Sequence, residues 1–321
     1  MIFEKKILDV YRGIAFTRCD GDGTAFYFGA SDFEGLRAER FEFPSSLGHT
    51  LVGYFYSYDQ PKEKRIVIFD HGFGGGHSSY LREIEMLCRH GYLVFAYDHT
   101  GCMESGGDNP NGMSQSLRDL DDCINALHGS GLIDGYEIFV MGHSWGGFST
   151  LNIAALHPEV THIAVLSGFV SVELLVGSIF SGVLKLYRRA VLALERAANT
   201  DYFGYNAVES LKNSSVKALL IYSDNDPVCT KKVQYDALCA GLSESGNVKL
   251  MLEVGKGHNP NYTSDAVAIL ADYAAKRGKL LKRKKPVTEE QKAEFIRSFD
   301  WRAMTEQDER VWQKIFEHFD D

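Results

Sequence analysis

Short apolar runs alternate with stretches of helical spacing through most of the chain. The pattern predicts strands at Phe41–Phe43, Leu51–Ser57, Arg65–Asp70, Leu93–Tyr97, Glu137–Met141, Ile163–Leu166, Ala218–Tyr222 and Lys249–Glu253. The third, Arg-Ile-Val-Ile-Phe-Asp, and the seventh, Ala-Leu-Leu-Ile-Tyr, are largely apolar and partly β-branched, as suits strands covered on both faces. Helical spacing puts Leu81, Ile84 and Leu87 on one face of Ser79–His90, with Gly91 as a stop. It does the same for Leu117, Leu120, Ile124 and Leu127 in Ser114–His128. Such alternation implies parallel strands joined by right-handed crossovers, with helices on both faces of one sheet. The first two strands differ: only Pro44-Ser-Ser-Leu-Gly-His49 separates them, so they read as an antiparallel hairpin at the sheet edge. The expected fold is therefore α/β, an eight-stranded and mostly parallel sheet.

Two regions leave this rhythm. Residues 171–215, between the sixth and seventh strands, hold no convincing strand. They carry Leu174, Leu175, Phe180, Leu184, Tyr187, Val191 and Leu194 at helical spacing, then an aromatic cluster at Tyr202, Phe203 and Tyr205. This reads as a helical cap. The C-terminal stretch follows the basic run Lys279–Pro286, itself read as a solvated connector. It looks like two helices, the first capped by Thr288 with Gln291 three residues on, the second by Thr305. The expected division is a core of 1–170 and 216–278 with an N-terminal preamble, a cap of 171–215, and an extension of 279–321.

At 321 residues, 45% hydrophobic and 24% charged, the chain has the balance of a soluble globular protein. Its net charge of −9 argues against nucleic acid as a partner, since phosphate binding needs a concentrated excess of Lys and Arg. Cys19, Cys88, Cys102, Cys123, Cys229 and Cys239 are scattered without a CxxC pair, and a reduced compartment is the simpler inference. Met1–Lys6 mixes acid and base where a secretion signal needs an apolar run, and Leu174–Leu184 is too short for a membrane span. A cytoplasmic location is expected.

Chemistry concentrates at strand ends. Gly142-His-Ser144-Trp-Gly146-Gly147 follows the fifth strand directly and precedes the helical pattern Phe148–His157. A nucleophile on so tight a turn has a strained backbone and needs small neighbours, and the helix N-terminus behind it offers N–H groups to a developing oxyanion. The third strand ends in His71-Gly72-Phe73-Gly74-Gly75-Gly76, where this chemistry needs a second oxyanion donor. The loop lacks the Lys-Ser/Thr ending of a P-loop and the spacing of a dinucleotide site. The seventh strand ends in Ser223-Asp224-Asn225-Asp226 and the eighth in Gly255-Lys-Gly257-His258, so an acid and a histidine follow Ser144 in chain order. His71 and His77 have no carboxylate or thiol at ligand spacing, and neither metal nor cofactor is expected.

These motifs resemble the α/β-hydrolase family, nearest in pattern to its carboxylesterase and serine-aminopeptidase-like branches, from about Arg37 to Lys276. The resemblance implies Ser144 as nucleophile, Asp226 as acid, His258 as base, and the backbone N–H groups of Phe73 and Trp145 as oxyanion hole. In the family the acid stands three residues after a small residue ending its strand. Ser223 to Asp226 has that spacing, which leaves Asp224 to cap the turn. An Asp-x-x-Gly loop matches Asp98–Gly101, but Cys102 and Met103 follow where small residues are usual. The implied function is hydrolysis of a small-molecule carboxylic ester through an acyl-enzyme. A serine-aminopeptidase-like peptidase is the rival, and a non-catalytic ligand-binding protein of the same fold is the alternative from another class. The apolar residues Phe295, Phe299, Trp301, Val311, Trp312, Ile315, Phe316 and Phe319 suit packing on their own domain or, as the sharper alternative, a homodimer contact.

Overall fold

A computed structural model describes residues 2–59, 61, 64–282 and 286–321. Arg283, Lys284 and Lys285 of the basic connector lie outside the described residues. The strands are β1 (Arg37–Pro44), β2 (Thr50–Ser57), β3 (Arg65–Asp70), β4 (Leu93–Tyr97), β5 (Glu137–His143), β6 (Val160–Leu166), β7 (Lys217–Ser223) and β8 (Val248–Glu253). They form one sheet in the order β1-β2-β4-β3-β5-β6-β7-β8. Only β1–β2 and β2–β4 pair antiparallel. In the register of β3 with β5, Asp70 lies opposite Gly142, which sets the two glycine-rich loops side by side. The register of β7 with β8 pairs Ser223 with Glu253 and does the same for the acid and histidine loops.

The helices are α1 (Ile2–Ala15), α2 (Leu81–His90), α3 (Gln115–Ser130), α4 (Ser144–Asn152), α5 (Val172–Ile179), α6 (Arg188–Ala198), α7 (Thr200–Phe203), α8 (Ala207–Lys212), α9 (Tyr235–Gly241), α10 (Ser264–Leu281), α11 (Glu289–Arg297), α12 (Trp301–Met304) and α13 (Glu309–Phe319). Strand side chains alternate between two cores. Ile66, Ile68, Ile138 and Val140 point to the face that carries α3, α4 and the β6–β7 helices. Val67, Phe69, Phe139 and Met141 point to the face that carries α2 and α13. Among the described residues, no helix is long and apolar enough to cross a membrane.

One expected cap is misplaced, and two regions take a form the pattern left open. The N-terminal preamble is helical: α1 buries Tyr11 and Ala15 against the first core, with Ile7 and Leu8 half-buried beside them. Thr288 caps α11 in a capping box, but Thr305 starts no helix. Its hydroxyl donates back to Trp301 O and closes α12, while Asp308 caps α13 by accepting the Arg310 N–H. Most of the apolar C-terminal residues pack on their own chain, the first of the two readings weighed for them. Val311, Trp312, Ile315 and Phe319 are buried in the second core, and Phe295, Phe299 and Trp301 ring Tyr273.

Candidate active site

Ser144 sits between β5 and α4 with φ +55°, a left-handed backbone that costs a non-glycine residue energy and persists only when its surroundings hold it. Two glycines permit the turn. A Cβ on Gly142 would lie 2.3 Å from Gly146 O, and one on Gly146 would lie 2.1 Å from Asp70 O. The Gly146 N–H donates to His71 O at 3.1 Å and ties the turn to the loop after β3.

The Ser144 Oγ lies 2.9 Å from His258 Nε2, and His258 Nδ1 lies 2.8 Å from Asp226 Oδ2. The other carboxylate oxygen of Asp226 accepts the N–H groups of Val228 at 2.7 Å and Cys229 at 3.0 Å. Burial pushes the Asp226 carboxyl up. The bond from His258, its charge and the Val228 N–H outweigh that and hold it below the usual carboxylate range. Asp224 is engaged elsewhere: its Oδ1 accepts the Gly255 N–H at 2.8 Å. Its neighbours act alike, with Ser223 Oγ accepting from Lys256 N and Asn225 Oδ1 from Gly257 N. Three consecutive side chains on the acid loop thus hold three consecutive N–H groups of the histidine loop.

Phe73 and Trp145 come together, their rings edge to face at 5.1 Å. Trp145 is buried and donates its Nε1–H to Met113 O at 2.7 Å. The Met113 N–H donates in turn to Glu195 Oε2 at 2.7 Å, and Tyr11 donates to Glu195 Oε1 at 2.6 Å. Burial pushes the Glu195 carboxyl up against the two bonds it accepts. Helices α1 and α6 therefore brace the residue that follows Ser144.

Sequence reasoning passed over two groups. His143, the variable residue inside the serine motif, accepts the Tyr80 hydroxyl on Nδ1 at 2.8 Å and donates Nε2–H to the His258 carbonyl at 2.8 Å. Tyr80 Oη accepts the Gly72 N–H at 3.1 Å, so one neutral imidazole links the Phe73 loop to the backbone of His258. Burial first, then the charge of His258, lowers His143 to about 3. Beneath the same loops lies a buried His99, with Nε2 2.6 Å from Asp70 Oδ1 and Nδ1 3.2 Å from Asp119 Oδ2. Burial lowers His99, but the two carboxylates outweigh it and raise the imidazole to about 9. Its own N–H donates to His71 Nε2 at 3.0 Å, placing the pair under the start of the glycine loop. Position inside the motif was the available signal for His143; a histidine directly after Asp98 was the only one for His99.

The Asp98–Gly101 loop supports this floor. Asp98 accepts from His77 N and Glu104 N, Cys102 is fully buried, and Met103 takes φ +42°. His71 and His77 are both engaged within the chain, His71 with Gly72 O and His77 with Asp98 and Tyr56. Ligand-type atoms of Asp226, Cys229 and His258 lie within 4.8 Å of one another. They fit a metal poorly, because burial pushes the Cys229 thiol well up and His258 and Asp226 already bond each other.

With this geometry in place, the chain has the α/β-hydrolase fold. Residues 61–203 match the model of the serine aminopeptidase S33 family, a stretch that holds both glycine-rich loops and ends before Asp226 and His258. The esterase Pf2001 of Pyrococcus furiosus is similar in structure, with TM-score 0.59 and 17% identity over 81% of this chain and 96% of that one. A putative dienelactone hydrolase from Klebsiella pneumoniae has TM-score 0.54 and 16% identity over 89% and 99%. Among curated proteins, the putative carbamate hydrolase RutD of Rhizobium rhizogenes is 32% identical over 107 residues, 33% of this chain. The chain spans 38% of the length of that relative.

Proposed function

We propose that the protein is a serine hydrolase that cleaves a carboxylic ester, or a related acyl bond, through an acyl-enzyme on Ser144. The observation that carries this reading is the hydrogen-bonded row of Ser144, His258 and Asp226, drawn from three loops far apart in the chain. His258 takes the Ser144 proton as Oγ attacks the carbonyl carbon, then passes it to the leaving group; a water activated by the same imidazole releases the acid. Asp226 keeps Nδ1 protonated and stabilises the imidazolium. The N–H groups of Phe73 and Trp145 receive the oxyanion, each contributing about 3–4 kcal/mol to lowering the barrier. No cofactor enters this scheme.

Helices α5 to α8 serve in this reading as the cap, spanning 171–215 over a core of 1–170 and 216–278, with 279–321 as an extension. A serine aminopeptidase needs an anionic group at the site to receive a free amine. Of the cap carboxylates, Glu195 is buried and engaged by Tyr11 and Met113, while Glu173, Asp201 and Glu209 are exposed, which favours an ester. Six free cysteines accord with the cytoplasm.

A fluorophosphonate probe tests the assignment. Wild type labels and Ser144→Ala does not; an unlabelled wild type points instead to a non-catalytic ligand-binding protein. Hydrolysis of p-nitrophenyl esters of graded length, set beside aminoacyl anilides, then separates esterase from aminopeptidase.

A further inference from the structure

Cys19, in the segment between α1 and β1, and Cys102, in the loop after β4, are partners in an isolated parallel bridge. The Cys19 N–H donates to Gly101 O at 2.8 Å and the Met103 N–H to Cys19 O at 3.2 Å, so the two backbones run side by side. Paired strands lie about 4.8 Å apart, inside the range of about 4.4–6.8 Å that Cα atoms span across a disulfide. Both thiols are free, and the Cys19 Sγ–H points to Thr17 O at 3.7 Å.

Their surroundings differ in a way that divides the work. Cys19 is partly exposed, whereas Cys102 is fully buried. The neighbouring Cys102 thiol and, more weakly, the Gly74 backbone hold the Cys19 thiol below its usual range against burial. The neighbouring Cys19 thiol and burial push Cys102 up. Cys19 is therefore the accessible, thiolate-prone partner and Cys102 the one waiting behind it. Met103, directly after Cys102, packs on the loop that carries Phe73: a Cβ on Gly76 would lie 2.6 Å from Met103 Cγ.

We propose that Cys19 and Cys102 form a peroxide-sensitive thiol pair, and that their disulfide slackens the loop carrying Phe73. The Cys19 thiolate attacks a peroxide oxygen: the S–O bond forms, the O–O bond breaks, and hydroxide leaves. The sulfur loses two electrons and the peroxide is reduced. The Cys102 sulfur then attacks the Cys19 sulfenic acid, forming S–S and breaking S–O, and its proton leaves in the water released. Each disulfide consumes one peroxide and yields two waters. Closing the disulfide re-sets Cys102 and the adjacent Met103, whose side chain packs on Gly76 in the loop that carries Phe73.

The effect on Ser144 rests on the proposed hydrolase reading; the disulfide does not. The purified full chain is treated with hydrogen peroxide and mapped by mass spectrometry without reductant. The expected product is a Cys19–Cys102 cross-linked peptide lighter by two hydrogens, absent in Cys19→Ser and, should that variant fold poorly, in Cys102→Ala. Finding the two cysteines only in separate peptides overturns the pair. Fluorophosphonate labelling of Ser144 should slow about tenfold or more on oxidation and recover with dithiothreitol, since loop shifts of about 1 Å cost that much or more. A cross-link with an unchanged labelling rate overturns the coupling to the loop, whereas a reduced wild type that never labels overturns the hydrolase reading alone.

Discussion

The two halves of the candidate site are built by different physics. At β3 and β5, backbone meets backbone: Gly146 lies so close to Asp70 that no side chain fits between them. At β7 and β8, side chains meet backbone: Ser223, Asp224 and Asn225 each accept one N–H of the histidine loop. Steric closeness admits one residue type, while a hydrogen-bond acceptor can be a hydroxyl, a carboxylate or an amide. The nucleophile half is rigid and intolerant. The acid–histidine half is degenerate and should yield gradually to substitution.

This contrast is open to direct attack. The largest effect belongs to Ser144→Ala, which should lower kcat by about 10⁴–10⁶-fold with an unchanged circular-dichroism spectrum. Residual activity within about tenfold of wild type would exclude Ser144 as nucleophile. Asp226→Asn should cost about 10⁴-fold in kcat, because the amide favours the wrong imidazole tautomer, while Asp224→Asn, which keeps an acceptor for Gly255, should stay within about tenfold. An inverted order would reassign the acid. Next comes Gly146→Ala, whose Cβ meets Asp70 O: thermal melting should show a loss of about 3 kcal/mol or more, and a melting temperature equal to wild type would refute the steric account.

A smaller effect is expected where the halves are joined. His143→Phe removes the donor to the His258 carbonyl and the acceptor for Tyr80, and should lower kcat about 10–100-fold. His143→Gln retains an N–H and a carbonyl and should restore much of that loss; equal activity of the two variants would reduce His143 to a packing residue. The smallest effect is on stability alone. His99 is raised to about 9, above the ordinary 6.5, so the stability from its protonation is present in full below pH 6.5 and is lost as pH rises through about 9. Wild-type melting temperature should therefore fall over that interval more steeply than that of His99→Gln.

Legibility followed the same division. The strands were readable because period-two burial and β-branched runs are local, and each lies within a few residues of its expected bounds. Gly142 and Gly146 were readable because the backbone approach they permit leaves no substitute. Asp226 and Asp224 could be ranked only through family spacing, since either residue type suits a turn. Thr305 was misread because a hydroxyl also bonds backward to a carbonyl, and Asp308 supplies the cap. The stripe of α13 could not disclose its partner, because periodicity states which face is apolar and not what covers it.

By itself, then, the sequence determined the alternating α/β architecture, the strained turn at Ser144 and the strand ends from which the chemistry emerges. All of these depend on residues close together in the chain. Tertiary structure alone decided that His258 bonds Asp226, that His143 joins two loops, that His99 lies between Asp70 and Asp119 beneath them, and that Cys19 pairs with Cys102. Those pairings depend on strand register and loop closure, which bring distant residues within hydrogen-bonding reach only once the whole sheet has formed.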